Sequence, residues 1–379
     1  MTSAHPPFDA RIFHKQCRSL AREGYDVTLI APGTEGTIRD GVHLESVPRW
    51  TNRWSRMLRG PFAVYRKARQ QNADIYHFHD PELIPIALLL RATGKTVIYD
   101  IHEDLPRTVS YKSYVPRWLR GIVALLLEVS EGWAARWFSG LIAATPPIAD
   151  RFRHDHRVIA VVHNYPRMDE IGPARSDDRV ASDESLLYVG MRITRARGAE
   201  EMIRAMGLLP TNISARLKLA GAWDPPTLVE SLSRIPGWER TEYLGLLGRQ
   251  ELARVLQQAR VGLVLLHAEP NYLASQPVKL FEYMCAGLPV IASNLPGCRE
   301  IVQSARCGLL VDPLDPQELA QAITYLWTHS EEARAMGQRG FEAIQQRYNW
   351  AGEEKHLLAL YRHFCNSPQT QSTQMRWGA

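Results

Sequence analysis

The chain has 379 residues, more than one hydrophobic core normally serves, so two domains of ordinary size are expected. Its 45% hydrophobic and 22% charged residues are ordinary for a soluble globular protein, and its net charge of +5 is mild. The five cysteines form no CxxC pair, which argues against a zinc-type ligand set and for reduced thiols in a cytosolic chain. A polar start predicts no signal peptide, and the apolar stretch over residues 121–127 is too short to span a bilayer. We therefore expect a cytoplasmic protein, at most peripheral at the inner face of the membrane.

Short β-rich runs alternate with longer helical patterns, which predicts an α/β protein with parallel sheets. In the first half, a helix over residues 11–23 leads into the first of several expected strands, at 26–31, 75–78, 96–100, 140–144 and 158–162. A doubly wound domain normally begins with a strand that feeds its first loop, whereas this chain starts almost inside that loop. We therefore expect the first strand of the N-terminal domain to be missing, either because the start is placed too late or because the domain lacks a central strand.

Residues 46–73 are basic, with seven Arg or Lys residues and no Asp or Glu. The basic side chains are interleaved with Trp50, Trp54, Phe62 and Tyr65. This pattern suits contact of residues 49–69 with an anionic membrane surface, and less so with nucleic acid, which we do not expect as a partner. A solvated helix face is the alternative.

Residues 115–138 show helical spacing of large apolar side chains. These are Trp118, Leu119, Ile122, Leu126, Val129, Trp133 and Trp137. We favour a core helix of the first domain, because periodic apolar stripes usually face a core. The alternative is an interfacial face that meets a lipid-linked acceptor.

The second half repeats the α/β pattern. Strands are expected at 185–189, 216–220, 261–266, 289–292 and 308–311, and one or two closing helices over 331–364. Residues 167–185 read as a linker. The expected division is an N-terminal Rossmann-like domain over 1–166, a C-terminal one over 167–345, a closing helix over 346–365 that packs back on the first domain, and a disordered tail over 366–379.

The segment 275–291 (SQPVKLFEYMCAGLPVI) carries the clearest chemical signal. It predicts a short helix with Ser275 as N-cap and Pro277 at its first position. A helix N-terminus presents free N–H groups and partial positive charge to a phosphate, and Lys279 in the first turn adds a point charge. Glu282 lies one turn deeper on the same face, where its carboxylate suits the two hydroxyls of a ribose. A Lys–Glu ion pair on a solvated helix face is the alternative.

A second basic cluster follows the strand at 185–189. Arg192 and Arg197 come on either side of a glycine-flanked turn, where a doubly wound domain places its ligand loop. Two guanidinium groups can grip a diphosphate in bidentate fashion. Together with Lys279 and Glu282 this predicts a nucleotide-sugar diphosphate site.

These segments resemble the retaining glycosyltransferases of the GT4 family, which have the GT-B fold of two Rossmann-like domains facing a cleft. The resemblance covers nearly the whole chain, including residues 5–12, 77–80 and 99–103. It implies that Arg192 and Arg197 neutralise the donor diphosphate, that Lys279 assists them and that Glu282 holds the ribose. It also implies that His102 sits beside the donor sugar across the cleft between the domains.

The chain departs from this family in three places. The family commonly carries a pair of glutamates separated by seven residues, and counting back from Glu282 reaches Ala274, so the first glutamate is missing. The lost contact to the donor sugar passes to Asn271, Glu269 or backbone groups of 274–276 on this interpretation. Arg197 replaces a usual lysine, and the first loop carries prolines in place of glycines, in addition to the missing strand.

Several polar residues fall near strand ends in the first half, among them His77, His79, Asp80 and Asp100. Two histidines at i and i+2 share a strand face, and a carboxylate could complete a metal site. Metal ligands normally come as a closed set, so we expect no metal and no other cofactor. A polar cleft is favoured instead, near donor or acceptor, formed from His79, Asp80, Asp9, Glu103 and Asn271. A satisfied histidine at a strand end is the alternative for His102.

The expected reaction is transfer of a hexosyl or N-acetylhexosaminyl group from a UDP- or GDP-linked sugar, with retention, to a glycan or lipid-linked glycan in cell-surface polysaccharide synthesis. Lipopolysaccharide, capsule and exopolysaccharide are the settings that the resemblance implies. No nucleophilic carboxylate is evident, so catalysis would rest on charge neutralisation at the leaving diphosphate. Two alternatives remain open. One is a sugar-nucleotide epimerase or hydrolase, and the other is a catalytically silent or truncated GT-B protein that binds nucleotide sugar or lipid.

Overall fold

The computed structural model describes residues 1–33, 36–50, 52–109, 115–172, 184–273 and 275–366. The chain forms two compact units, Met1–Asn164 with Trp350–Ala379, and Tyr165–Asn349. The division therefore falls at Asn164 rather than 166, and the return to the first unit at Trp350 rather than 346. Residues 173–183 of the expected linker and 367–379 of the expected tail lie outside the described residues.

The first unit is built on parallel strands. The strands are β1 Val27–Pro32, β2 Ile38–Arg39, β3 Val42–Val47, β4 Ile75–Phe78, β5 Thr96–Ile101, β6 Gly140–Ala143 and β7 Ile159–Val161. One sheet has the order β1-β3-β2 and the other β4-β5-β6-β7. Pairing is parallel except between β2 and β3, which form an antiparallel hairpin that the sequence did not predict.

Met1 and Thr2 occupy the place between the two sheets. The Thr2 amide donates to the Ile30 carbonyl at 2.9 Å, and the His79 amide donates to the Met1 carbonyl at 3.2 Å. The Met1 ammonium also donates to the His77 carbonyl at 2.6 Å. These residues therefore bridge β1 and β4 over a short distance, and β1 is the first strand among the described residues.

Helices cover both faces of the first unit's sheets. A π-helical turn Ile12–Cys17 is followed by α1 Arg18–Arg22, α2 Arg53–Gln71, α3 Ile84–Ala92, α4 Leu105–Val109, α5 Arg120–Ala135 and α6 Pro146–Asp150. Val64 of α2, Ile86 of α3 and Ala134 of α5 pack in one core cluster with strand residues that include Tyr99. Successive strand residues point to opposite faces. Ile98 accordingly belongs to a different cluster from Tyr99.

The second unit is a doubly wound parallel sheet. Its strands are β8 Ser185–Ile193, β9 Arg216–Trp223, β10 Thr241–Gly245, β11 Val261–Val264, β12 Val290–Ser293 and β13 Gly308–Val311, in the order β10-β9-β8-β11-β12-β13. Each strand expected from the sequence is present, and β10 is an addition. The sequence did not predict β10, because its residues (TEYLG) include polar and exposed positions and form no apolar run.

Helices follow the strands of this sheet as crossover connections require. They are α7 Ala199–Gly207, α8 Leu228–Leu232, α9 Arg249–Gln258, α10 Pro270–Leu273, α11 Val278–Cys285, α12 Pro296–Ala305, α13 Pro316–Thr328 and α14 Ser330–Gln346. A last helix, α15 Trp350–Cys365, returns to the first unit, where Leu357 and Tyr361 pack with Ile98. Among the described residues, no helix combines the length and apolarity needed to cross a membrane.

The core beneath α11 depends on a glycine of β11. A Cβ added at Gly262 would lie 2.3 Å from the Tyr283 ring, so this strand position admits no side chain. We expect Gly262→Ala to destabilise the chain by about 1–3 kcal/mol through overpacking, measured as a lower thermal midpoint. Gly121→Ala on α5 is the control, because nothing lies within 4 Å of its added Cβ. Equal shifts in the two variants would contradict this view of the core.

Candidate functional site

The irregular end of β8 and the turn that follows it, here called the β8 loop, are held by two tyrosines. The Tyr188 hydroxyl donates to the Arg192 carbonyl at 2.9 Å, and the Val189 amide donates to the Tyr283 hydroxyl at 2.9 Å. The β8–β9 register shifts between Val189 and Arg192, so the pairing of the two strands is irregular at this point. Because the strands are parallel, this loop lies at their carboxyl edge, where doubly wound sheets bind ligands.

Lys279 of α11 is buried beneath this loop. Its Nζ lies 3.6 Å from the centre of the Tyr188 ring, on the ring face. Nζ has no hydrogen-bond partner among the described residues, although Lys279 is only 9% exposed. The alternative of an ion pair on a solvated helix face is therefore wrong. A buried ammonium that lacks an acceptor is suited to receive an anion.

Burial lowers the pKa of Lys279 well below its ordinary value, and the nearby charge of Arg197 lowers it further, while Glu282 opposes both effects. Loss of the proton is the response expected of an ammonium removed from water without a counter-charge. An anionic ligand would supply that counter-charge and restore the protonated form. The binding of such a ligand should therefore be coupled to proton uptake.

Gly190 leaves room above the ammonium group. A Cβ at this position would lie 3.0 Å from the Tyr188 hydroxyl and 3.4 Å from Lys279 Nζ. Gly198 has a similar steric role, because its φ is +71° and an added Cβ would lie 2.4 Å from Leu265 Cβ. Because these two positions are glycines, the backbone at Gly190 can lie close to the Lys279 ammonium, and the backbone at Gly198 can pack against Leu265.

The two predicted arginines have different surroundings. Arg197 Nε donates to the Tyr272 hydroxyl at 3.4 Å, and the guanidinium is close enough to Lys279 to affect its pKa. Arg192 is largely exposed and forms a 2.8 Å ion pair with Asp224. The structure thus brings Arg197 next to Lys279, whereas Arg192 is directed to a carboxylate of its own.

Glu282 lies near a cation that the sequence analysis missed. Arg249 Nη1 is 3.7 Å from Glu282 Oε1, and Arg249 Nη2 is 3.2 Å from Glu170 Oε2. Arg249 opens α9, which follows β10, the strand that the sequence did not reveal. A distant residue of this kind becomes a candidate only when the fold is known.

The predicted N-cap of α11 was wrong. Ser275 is not the N-cap, and Pro277 is not the first helical residue. The helix begins at Val278, and Pro277 is the N-cap residue, with an extended ψ of 128° and no side-chain capping bond. The proline ring fixes φ but has no acceptor to offer. The first N–H groups of the helix therefore have no side-chain acceptor at the cap, which favours the anion site more than the predicted serine cap would.

Asn271 was predicted to compensate for the missing glutamate. It lies on α10, and its Oδ1 is buried with no hydrogen-bond partner among the described residues. This buried acceptor remains a candidate contact for a polar ligand. Ala274, which stands where the glutamate is expected, lies outside the described residues.

Asp100 organises the polar cluster of the first unit. Arg11 binds its carboxylate in bidentate fashion at 2.9 and 2.7 Å, and Gln16 donates to it at 2.8 Å. His79 Nδ1 lies 3.1 Å from the same carboxylate and His102 Nδ1 3.7 Å. Burial opposes ionisation of Asp100, but Arg11 and these hydrogen bonds outweigh it and hold the pKa of Asp100 well below its ordinary value.

Asp80 and Asp9 hold the start of the chain in place. Asp80 Oδ2 accepts hydrogen bonds from the Thr2 hydroxyl at 2.7 Å and the Ser3 amide at 2.6 Å. Asp9 Oδ1 accepts from the amides of Arg11 and Ile12 at 2.8 and 3.0 Å, as a helix cap does. Both carboxylates, predicted as cleft residues, are thus engaged in positioning the first loop and the helix after it.

His102 remains the more accessible histidine of this cluster. Its side chain is 18% exposed, and its Nε2 lies 3.4 Å from His5 Nε2. His79, by contrast, is 4% exposed and hydrogen-bonded to Asp100. Glu103 is exposed beside His102. The structure therefore separates a buried supporting histidine, His79, from one that retains access to solvent.

Ligand atoms of His77, His79 and Asp100 lie within 4.8 Å of one another, which is the spacing of a metal site. Arg11 already binds both oxygens of Asp100, so a metal ion would have to compete with a guanidinium at 2.7 Å. The charge of the Asp100 carboxylate is therefore already balanced by the Arg11 guanidinium. The expectation that no metal is required stays a prediction.

Family models match both halves of the chain. The model described as Glycosyltransferase Family 4 matches residues 10–165, and the model described as Glycosyl transferases group 1 matches residues 183–329. The chain belongs to the GT4-type glycosyltransferases. The predicted family is thereby confirmed.

Comparisons with individual proteins agree with this assignment. An uncharacterised glycosyltransferase of Methanocaldococcus jannaschii is 24% identical over 48% of this chain and 46% of its own length, so the match spans about half of that relative. Sucrose-phosphate synthase of Thermosynechococcus elongatus superposes with a TM-score of 0.73 and 21% identity, over 93% of this chain and 92% of its own. Anabaena Alr3699/HepE in complex with UDP and glucose gives 0.70 and 15%, over 94% and 97%. The fold of this family 4 protein is therefore GT-B.

The buried histidines of the first unit predict a pH-dependent stability. Burial lowers the pKa of His77 to about 3 and that of His79 well below its ordinary value. As the pH falls below about 6.5, the unfolded chain binds protons that these histidines do not bind in the folded state, so stability decreases. Each such histidine should remove about 1.4 kcal/mol between about pH 7.5 and 5.5.

Urea unfolding at these two pH values measures the effect. His77→Gln should lose less stability on acidification than the wild type, by the amount expected for one histidine. His154→Gln, at an exposed position, is the control and should keep the wild-type dependence. An unchanged pH dependence in His77→Gln would refute the neutral, buried state of His77.

Proposed function

We propose that this protein transfers a glycosyl group from a nucleotide-diphosphate sugar to a glycan or lipid-linked glycan. The observation that carries the proposal is the buried Nζ of Lys279, which has no hydrogen-bond partner among the described residues and belongs to the first turn of α11. A diphosphate supplies the acceptors that this ammonium lacks. The family to which the chain belongs supports a sugar as the group attached to that diphosphate.

Charge neutralisation is the chemical role proposed for this cluster. When the bond between the sugar and the diphosphate breaks, negative charge develops on the leaving group. Lys279, Arg197 and the N–H groups of α11 would stabilise that charge, and preorganised donors of this kind make a large contribution to catalysis. Arg192 would join them on exchanging its partner Asp224 for the donor. Glu282 is the proposed ribose ligand.

The remaining details of the reaction are part of the same proposal. The donor is a UDP- or GDP-linked sugar, and the complex of Anabaena Alr3699/HepE with UDP and glucose supports UDP. Transfer proceeds with retention and without a metal cofactor, and it moves a hexosyl or N-acetylhexosaminyl group. His102 contacts the donor sugar. The setting is cell-surface polysaccharide synthesis in the cytoplasm, with residues 49–69 against an anionic membrane.

Lys279 provides the sharpest test of donor binding. Hydrogen bonds to charged groups contribute about 1.5–3 kcal/mol, so Lys279→Met should raise the Kd for UDP by roughly 10–100-fold in calorimetric titration. The same variant should be at least as stable as the wild type, because Met keeps the apolar stem and removes a buried cation. Lys279→Met should therefore weaken UDP binding while leaving the free energy of unfolding equal or higher.

Lys355→Met is the control, because Lys355 is exposed on α15 and should leave both quantities unchanged. If Lys279→Met bound UDP as tightly as the wild type, the proposed diphosphate site would be wrong. If it were strongly destabilised instead, Lys279 would be a structural residue.

Neighbouring arginines give a second, matched pair. Arg195 and Arg197 belong to the same helical turn, but Arg195 pairs with Glu200 whereas Arg197 lies beside Lys279. We expect Arg197→Ala to weaken UDP binding by about tenfold or more and Arg195→Ala to change it little. Equal losses would indicate a general effect of positive charge and not a specific contact.

Product analysis separates transfer from the alternatives. Incubation with a UDP-sugar and lipid-linked glycans should give a product with the anomeric configuration of the donor, measured by nuclear magnetic resonance. Donor hydrolysis or epimerisation without acceptor would favour the other enzyme class. Tight UDP binding with no turnover on any acceptor would favour a silent binding protein.

A further inference from the structure

The outer face of α5 is apolar and exposed to solvent, contrary to the predicted core helix. Ile122, Leu125 or Leu126, Val129 and Trp133 recur at spacings of three or four residues and therefore lie on one face, and Trp118 precedes Ile122 by four residues in the turn before the helix. Each of these side chains is more than half exposed. The prediction that this stripe packs in the core is wrong.

The fully buried residues of α5 are small or charged, and Val123 and Leu127 on the same side are half-buried. Ala134 and Ala135 face the core, together with Glu131, which accepts hydrogen bonds from the Tyr99 hydroxyl at 2.8 Å and from Arg151 at 2.9 Å. The usual arrangement of a soluble helix, with its large apolar side chains inward, is thus inverted. Such an exposed apolar stripe marks an interaction surface.

A second helix presents the same kind of face. Trp54, Leu58 and Phe62 of α2 are about 70% exposed and lie on one side of the helix. Exposed arginines Arg59, Arg66 and Arg69 accompany them. Because residues 46–73 contain no acidic residue, this face is both apolar and purely basic.

The two faces belong to one layer of the first unit. α2, α3 and α5 all contribute to the same core cluster on one side of the sheet, and α3 contacts both of the others. Leu89 of α3 is half exposed, and Arg91 of α3 donates to the Trp137 carbonyl at 3.1 Å. The outer surfaces of these three helices therefore form one surface, here called the apolar-basic surface.

We propose that the apolar-basic surface lies on an anionic lipid bilayer. The proposal extends the membrane contact of residues 49–69 to α5 and rests on that part of the proposed function. Large apolar and Trp side chains would enter the interfacial region, while Arg59, Arg66, Arg69 and Arg117 meet lipid phosphates. The helices would lie along the membrane and not cross it, in agreement with their hydropathy.

Charge favours a bilayer over a second copy of the chain. A twofold dimer through this surface would place like patches in contact, so arginines would face arginines. Anionic lipid headgroups neutralise the same arginines. Glu128 is exposed on α5, but it lies about 100° around the helix from Val129 and so at the margin of the stripe.

Vesicle flotation of the full chain tests the proposal. The probes are vesicles of phosphatidylcholine with and without phosphatidylglycerol, in the absence of nucleotide. We expect at least about tenfold stronger binding to the anionic vesicles, decreasing at high salt. Replacement of Arg59, Arg66 and Arg69 by Gln should remove the preference for anionic vesicles.

Two leucines of equal exposure provide a matched comparison. Leu125 on α5 and Leu314 in the second unit are both 61% exposed. Leu125→Glu should reduce vesicle binding about tenfold or more, and Leu314→Glu should not, because only Leu125 belongs to the apolar-basic surface. Trp118→Gln is a second variant with the same expected direction. Circular dichroism and the thermal midpoint should match the wild type, since these positions are exposed.

Three outcomes would overturn the proposal. They are absence of flotation with anionic vesicles, equal losses in Leu125→Glu and Leu314→Glu, and a wild-type dimer in ultracentrifugation that Leu125→Glu makes monomeric without any vesicle binding. UDP affinity should be unchanged in Leu125→Glu, because the residues for the diphosphate all belong to the second unit. Failure of the membrane proposal and failure of the donor site can therefore be told apart.

Discussion

The second unit buries an ammonium group for which the described part of the chain offers no hydrogen-bond acceptor. Lys279 lies on the face of the Tyr188 ring, and this cation–π contact offsets part of the free energy lost on leaving water. Tyr188 also holds the Arg192 carbonyl, and Tyr283 holds the Val189 amide. The space above the ammonium is thus kept open by rigid aromatic groups. An anion that pairs with this ammonium removes the free-energy cost of the unpaired buried charge. This gain in free energy contributes to the affinity for the anion.

In the first unit, by contrast, the buried charged group is paired. Its buried carboxylate, Asp100, is saturated with donors from Arg11, Gln16 and His79, and the start of the chain is fixed by Asp80 in the same way. A buried carboxylate whose two oxygens are paired in this way is held rigidly. His102 lies at the edge of this network, within 3.7 Å of Asp100 and partly exposed. The rigid network therefore has beside it a histidine whose outer edge remains accessible.

Sequence reasoning predicted the parts that depend on local pattern. The parallel strands carry continuous apolar runs, and the Lys279–Glu282 spacing follows from helical periodicity. It did not predict β10, whose exposed residues form no such run, nor the proline cap of α11. The roles of Asp80 and Asp9 were also hidden, because their partners are backbone amides of the first loop. Arg249 came near Glu282 only through the sheet order. Such contacts arise from tertiary packing.

The α5 stripe shows why periodicity alone is ambiguous. A period of 3.6 residues reveals that Trp118, Ile122 and Val129 share a face, but the direction of that face depends on what the opposite side can pack. In α5 the opposite side carries Ala134, Ala135 and Glu131, whose carboxylate has its partners in Tyr99 and Arg151. A buried carboxylate with such partners anchors the helix in one rotation only. The large apolar residues are consequently held outward, and an exposed apolar face fixed in this way by the core is available for a partner.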